Sequence, residues 1–447
     1  MIKLLLFNIY IKFFLNRITL SFLFKKFNND NYNYDFKNVT FEDLDDLKKI
    51  LFSTRYYNSK YYDEKSQIYH SFEWLVSAKK IGGAKSISTA KKQIINWQNK
   101  RYSKNSFVWN DIYTTKRLAN LIYNFDFYAI SSTKIELKTF KNIIREHYLI
   151  LEKMSRFLLS ENISFETIKV LLLFKLANKK EIDKIINILE KQIQLQIDEN
   201  GFHKTNNPSY HAEIINEFHE IKNILLFFNL KVPNTINLQI SNMTSVLLSM
   251  LHKDNSIAFF NGSNNANINN ILKVINLTKN IKSKVLSNID SGIATYDNKK
   301  LKIFFDVVKP INKKINQNLH ASTLSFELSF DNEKIITNCG SIAKRFGKKP
   351  EYLRYSAAHS TIIVSNTNIS ELVEKKSYKR IPEIIMFKSQ EDTKKITWSG
   401  SHDGYRSNFN RIVKRKITIL KSTNKIFGED SVIATKKDNR KISYNIR

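Results

Sequence analysis

One change of texture constrains this chain more than anything else in it. From Thr40 to about Leu251, apolar residues recur at spacings of three and four. After about Asp254 they alternate with polar residues in short runs, such as Lys302 to Val308, Thr323 to Phe330 and Arg415 to Leu420. A period near 3.6 marks an amphipathic helix, and a period of two marks a half-buried strand. The chain is therefore expected to fold as a helical half followed by a β half, with the boundary near Asn255.

The helical runs include Phe140 to Leu158, Phe165 to Ala177, Lys180 to Ile197, His211 to Asn229 and Leu238 to His252. Their connections are short, which implies antiparallel hairpins in a bundle, a solenoid or a toroid. No fixed-period sequence repeat is visible, which argues against a regular solenoid. In the second half, Ser256 to Gly262 reads as a strand and turn, and Ala294 to Tyr296, Lys334 to Asn338 and Ser360 to Val364 also read as strands. Asn, Gly and Asp clusters separate them, as in an antiparallel sandwich. Asn264 to Lys284 fits either a helix or a long polar loop. Ile442, Tyr444 and Ile446 alternate with polar residues up to the last residue, Arg447. This reads as a strand, either closing an edge or belonging to an incomplete C-terminal domain.

With 447 residues, 42% of them hydrophobic, the chain is long enough for two or three cores and too apolar for global disorder. The net charge is +31. Two readings of that charge stay open: a polyanionic partner, or the lysine and asparagine bias of an AT-rich genome. The lysines are spread along the chain and not bunched, so no nucleic acid is expected as partner. The single cysteine, Cys339, excludes an intramolecular disulfide. Residues 1–39 form an amphipathic segment and a linker. The longest uncharged run there, Leu4 to Ile11, is shorter than the roughly 20 residues a bilayer span needs. No small-residue cleavage site follows it, so neither a signal peptide nor a transmembrane helix is expected, and cell envelope and cytoplasm both stay open. Lys3, Asn8, Lys12 and Asn16 fall near one helical face. That face can lie on a membrane surface or pack on the rest of the protein.

Two phrases carry proton-handling groups. Asn207-Pro208-Ser209-Tyr210-His211 sets a Tyr-His pair at a helix start, after Asp198-Glu199-Asn200-Gly201-Phe202-His203. His320 to Ser329 sets a lone His at the mouth of a strand. Groups on two kinds of structure suggest a site where domains meet.

The stretch Asp198 to Asn229, taken in order with Phe72-Glu73-Trp74-Leu75, Gly82-Gly83, Trp97, Trp109 and Lys116-Arg117-Leu118, resembles the helical domain of heparinase II/III-type polysaccharide lyases. Phe259-Phe260-Asn261-Gly262, His320 to Ser329, Asn338-Cys339-Gly340, Ala357 to Thr361 and Ser401 to Tyr405 resemble the β domain of the same family. The resemblance runs from about residue 40 to the end. It implies an (α/α) toroid over residues 40–254 and an antiparallel β-sandwich over residues 255–447. It also implies cleavage of an acidic, uronate-containing polysaccharide by β-elimination.

Such a reaction needs a base, an acid and a donor that neutralises the uronate carboxylate. Tyr210 stands where the family places its catalytic Tyr. Asn162 matches the family's carboxylate-neutralising Asn, with Ile163 where a His is common, and equally suits a helix cap. His320 is the third catalytic candidate. His211, Arg354 and His359 are candidates for substrate contact, and His211 equally suits a cap for its own helix. Some members read His-Ala-His-x-Asp where this chain has Asn318-Leu319-His320-Ala321-Ser322, so one His and the Asp are replaced. In some members the His320 position binds a structural metal. Asn338 stands where a metal-binding Asp is found, and His359 matches a further His. Two imidazoles and an amide make a poor zinc set, so no cofactor is expected, with a metal held at these residues kept as the alternative. His402 and Asp403 read as a turn held by Asp403 and Gly404. The replaced residues also leave open a non-catalytic protein that binds or assembles acidic glycans on the same scaffold.

Overall fold

Helices begin in this chain where a short polar side chain caps them. Asn110 accepts from the Tyr113 N–H at 2.9 Å, Ser164 from Thr167 at 3.1 Å and Asn207 from Tyr210 at 3.0 Å. Each satisfies a donor that the first helical turn leaves without a partner. Thr133 and Glu136 cap each other reciprocally, the Glu136 carboxylate accepting from the Thr133 N–H at 2.8 Å. The computed structural model describes residues 64–100, 107–158, 163–264, 268–278, 281–283, 292–308, 319–341, 350–373, 377–436 and 443–446. The amphipathic segment expected over residues 1–39, Asn162 and Asn318 lie outside the described residues.

The chain divides into two compact units, Met1–Gln192 and Ile193–Arg447. The described helices of the first are α1 (Glu64–Ser71), α2 (Trp74–Ile81), α3 (Gly83–Lys100), α4 (Asp111–Tyr123), the single turn α5 (Phe125–Tyr128), α6 (Lys134–Leu158) and α7 (Phe165–Ala177), with the start of α8 (Asp183–Gln196). Phe72, at φ +60°, separates α1 from α2, so the Phe72-to-Leu75 phrase spans a break and not one helix. Helix α4 packs on α1, α6 and α7. Its Arg117 is fully buried, 4.3 Å from the Trp97 ring centre and 5.0 Å from that of Trp109. The guanidinium donates to His147 Nε2 at 3.0 Å and to the His70 carbonyl at 2.6 Å. Aromatic faces and fixed acceptors replace the water a buried cation loses. The tryptophans here are core residues.

The second unit contains α9 (Pro208–Phe227), α10 (Asn234–Ser249) and α11 (Ile268–Leu277), then the sheets. Strands β1 (Ile293–Asp297), β2 (Leu301–Asp306), β3 (Phe326–Phe330) and β4 (Glu333–Ile336) form one antiparallel sheet in that order. Strands β8 (Ile384–Glu391), β9 (Lys395–Tyr405), β10 (Arg411–Leu420) and β11 (Lys425–Ala434) form a second, in the order β11-β10-β9-β8. β5 (Ile362–Val364) pairs with β12 (Tyr444–Ile446), the strand expected near the last residue, and β6 (Glu371–Val373) pairs with β7 (Ser377–Arg380). Ile303, Phe305, Ile396, Trp398, Ile417 and Ile419 fill the space between the two larger sheets.

Two expectations change, and the compact units divide at a different place from the change of texture. Phe202, Val246 and Met250 bury against Ala258, Phe260, Ile293 and Phe304, so the helices after Gln192 belong to the unit that holds the sheets. The texture boundary near Asn255 is not the boundary between compact units, because a helix is sorted by what its apolar face covers. Of the strand and turn expected over residues 256–262, the strand does not form, Ile257 making one isolated bridge to Leu251, whereas the turn does, with Asn261 at φ +49°. The expected turn at Ser401 to Tyr405 is the end of β9. Asn264 to Lys284, left between helix and loop, contains α11.

Candidate active site

Tyr210 is the third residue of α9, and its place is set by the cap beneath it. Asn207 accepts from the Tyr210 N–H and donates to the Asn261 carbonyl at 3.0 Å. Ser209 N–H donates to Ser263 Oγ at 3.2 Å, and Asn261 donates to the Asn206 carbonyl at 3.1 Å. The half-buried Tyr210 ring meets the edge of the His203 ring at 5.0 Å and 89°. His203 is buried, accepts from the Thr205 N–H at 3.2 Å and turns Nε2 to Gln196 Oε1 at 3.3 Å. Burial, then His211 and Lys204, pull its pKa down to about 3, so it stays neutral.

His211 does not offer itself to a substrate. It is fully buried, its Nδ1 accepts from the His203 N–H at 3.2 Å, and its Nε2–H donates to the Met243 carbonyl at 2.7 Å. Both ring nitrogens are used inside the protein. Burial lowers its pKa to about 4 and keeps it neutral. Position 211 is thus a lock between the 198–203 turn and α10, and the expectation of substrate contact is corrected.

His320 and His359 come together, Nδ1 to Nε2 at 3.3 Å, with rings 5.2 Å apart. They are 4% and 3% exposed. Burial, then His359 and Arg354, hold the His320 pKa well below its ordinary range, and burial brings His359 down to about 4. Half-buried Arg354 sits beside them, its Nη2 donating to the Leu319 carbonyl at 3.1 Å, while the Ala321 N–H donates to the Arg354 carbonyl at 2.9 Å. His320 therefore has a fixed cation as neighbour.

A frame of buried polar groups fixes these loops. Glu327, fully buried, accepts from the N–H groups of Asn338 at 2.8 Å and Phe259 at 3.1 Å and pairs with His252 at 2.8 Å. Asn338 Oδ1 accepts from the Ser360 N–H at 3.1 Å. Arg415 spans two loops, donating to the carbonyls of Leu324 at 2.7 Å and Ser360 at 2.5 Å while its other edge pairs with Asp430. Gly340 lets residues 338–341 lie on residues 259–263, where Ser341 N–H meets the Ser263 carbonyl at 3.0 Å. A continuous path of contacts thus runs from the Tyr210 cap through residues 261–264 and 338–341 to the His320–His359 pair, all within one unit. Sequence reasoning missed His203, Glu327 and Arg415 as parts of this frame. All three stand in or beside phrases already noted, but apart from Thr205 beside His203 their partners are 7 to 91 positions away.

The residues do not fit a divalent cation. The donors at hand are two imidazoles and an amide whose oxygen already accepts a hydrogen bond. Arg354 adds positive charge beside His320. Among the described residues, no three His, Cys, Asp or Glu side chains gather in a metal-holding group. Ser322 donates to the buried Asp306 carboxylate at 2.8 Å. A second carboxylate in that place would repel the first.

Comparison with known proteins decides the family. The heparinase II/III N-terminus profile matches residues 27–284, and the heparinase II/III-like C-terminal profile matches residues 283–447. The chain belongs to the heparinase II/III family. Among solved structures, this heparinase II/III family member is similar to heparinase III, with a TM-score of 0.68 at 16% identity, over 95% of this chain and 77% of that one. It is also similar to the heparan sulfate lyase HepC from Pedobacter heparinus, with a TM-score of 0.52 at 16% identity, over 93% and 73% of the two chains. The likeness is one of fold, helices followed by antiparallel sheets, in the toroid-then-sandwich class expected from the sequence. No curated protein matches the chain.

Proposed function

We propose that this protein is a lyase that cleaves a uronate-containing acidic polysaccharide by β-elimination. The supporting observation is the hydrogen-bonded frame that joins the Tyr210 helix start to the His320–His359–Arg354 cluster inside one unit, in a chain of this family. In the reaction, a base takes the proton from C5 of the uronate. The electron pair forms the C4–C5 double bond, the C4–O4 bond breaks, and an acid protonates the departing O4. The C5 proton is weakly acidic until a donor neutralises the adjacent carboxylate.

Tyr210 is assigned as the proton-transfer group and His320 as its partner, with the guanidinium of Arg354 meeting the substrate's anionic groups; Asn162 keeps the carboxylate-neutralising role that the family resemblance gives it. His320 carries no charge at neutral pH, and burial beside His359 and Arg354 disfavours its protonation, so its assigned part is to orient and hydrogen-bond as a neutral ring. His359 acts behind it, orienting the ring. Tyr210→Phe removes one hydroxyl and leaves the Asn207 cap in place. It is expected to lower the rate of ultraviolet-absorbing unsaturated product by about 100-fold or more, with an unchanged circular dichroism spectrum. Undiminished turnover would sink the assignment.

A second reading is favoured by the low exposure of both imidazoles: a protein that binds acidic glycan without cleaving it. Retained binding to uronate polymers with no unsaturated product from the unaltered protein would select it.

A further inference from the structure

We propose that the tip of the α9–α10 hairpin is a docking surface that seats in the interface of an anionic lipid bilayer. The inference does not depend on the lyase reading. Leu226 and Phe227, at the end of α9, are 52% and 62% exposed, and Leu238, in the second turn of α10, is 58% exposed. Leu225, Ile236 and Ile240 of the same two helices are buried. A period of 3.6 residues therefore sets Leu226, Phe227 and Leu238 on the faces turned away from the core. The connection between the helices is closed by hydrogen bonds. Asn229 takes φ +56°, and the Leu230 N–H donates to the Leu225 carbonyl at 2.9 Å, which ends α9 in an ordered turn. Phe227 meets Phe228 edge-on, with ring centres 5.2 Å apart. Large apolar side chains held in water at one end of a hairpin mark an interaction surface.

Charge decides what this tip can meet. From Ile221 to Lys253 the chain has no Asp or Glu, while Lys222 and Lys231 flank the apolar residues. Lys231 is exposed and Lys222 half-buried, and neither makes an ion pair among the described residues. The nearest carboxylate along α9, Glu220, stands two turns back, about 10 Å from Phe227. An interfacial segment buries its apolar face roughly 5–10 Å deep and gains further from lysines among anionic headgroups. Leu226, Phe227 and Leu238 can enter to that depth with both ammoniums at the phosphates and with no carboxylate stripped of water. A second copy of this chain, related by a two-fold axis, would instead press the basic tip against itself. No helix among the described residues is long and apolar enough to cross a membrane, so the contact is interfacial. Tyr210 stands near the opposite end of α9, about 25 Å from Phe227, so the docked tip and the candidate site stay apart.

The net charge of +31 draws the whole chain to anionic vesicles, so a signal from the tip itself is decisive. Cys339→Ser removes the single cysteine, and Phe227→Cys then takes one nitrobenzoxadiazole label on the full chain. With vesicles of phosphatidylcholine and phosphatidylglycerol, the emission of that label should rise and shift to the blue. A nitroxide carried at shallow acyl depth should quench it. The same label at Ile135→Cys, in place of the 79% exposed Ile135 of α6, should do neither. In unlabelled protein, Phe227→Asn should weaken vesicle binding by about tenfold or more, and Ile135→Asn should leave it unchanged. A label at residue 227 that stays in water while the protein binds vesicles overturns the proposal, as does undiminished binding by Phe227→Asn. So does a concentration-dependent dimer in sedimentation velocity that Phe227→Asn abolishes, since the tip would then be a contact between copies. Turnover is not read here, so failure of this proposal is distinct from failure of the lyase reading.

Discussion

Asp306 shows how much one residue's meaning depends on its surroundings. In sequence it is the polar end of a strand. In the fold it is 2% exposed, accepts from Ser322 Oγ and the Val308 N–H, and has no paired cation among the described residues. Burial, against those two hydrogen bonds, raises its pKa from 3.8 to about 7. The folded state then keeps a proton that the unfolded chain has released above pH 3.8. Its contribution to stability is full below that value and is lost as pH rises to about 7, at a cost on the order of a few kcal/mol. Asp306→Asn, neutral throughout, should unfold at higher urea than the unaltered protein at pH 8 and gain less at pH 4. Equal gains at both pH values would show that Asp306 titrates normally. Tyr210, His320 and His359 were legible as candidates because their phrases resemble those of a family, and Arg354 because it is a cation five residues before His359. The neutral, locked state of His211 was not, because it depends on a backbone carbonyl 32 residues away.

At the scale of elements, the candidate site is made of loops pressed together, and glycine permits the closest approach. Gly340 has φ +65°, and an added Cβ there would lie 2.9 Å from the Ser263 carbonyl oxygen and 3.0 Å from the Phe259 ring. Gly340→Ala is expected to cost about 1–3 kcal/mol and to loosen residues 338–341 from residues 261–264. Gly428→Ala is the control, since an added Cβ in β11 meets nothing within 4 Å. Urea midpoints of the two variants check this, and equal values would remove the packing role given to Gly340. Helix α7 was read from Phe165 to Ala177 and forms over that span, because its capping Ser164 and its apolar run agree. Strand β9 was missed because Ser399, Gly400, Ser401 and His402 carry little β propensity. What makes them a strand is the ladder to β8 and β10 on either side.

At the scale of the whole molecule, buried histidine is a recurring liability in acid. His70, His147, His203 and His402 are brought down to about 3, His211 and His359 to about 4, and His320 well below 6.5, burial being the largest cause in each. Between pH 6.5 and those values the unfolded chain binds protons that the folded chain refuses. Stability is therefore full above pH 6.5 and falls as pH drops toward 4. Asp306 acts in the opposite sense but is one group against seven. The urea midpoint should fall steadily from pH 7 to pH 4. A flat profile would mean that these rings protonate in place.

The chain alone determined the order of helices and strands, most helix limits and the family. Each of these is written in local periodicity, in capping residues or in short phrases. Only the tertiary structure decided that the helices after Gln192 join the sheets. It also decided that His320 pairs with His359, and that Glu327 and Arg415 hold the loops between them. The reason is physical: periodicity is a property of neighbouring residues, whereas burial and hydrogen-bond partnership belong to groups brought together from distant positions, and no local pattern encodes which distant group arrives.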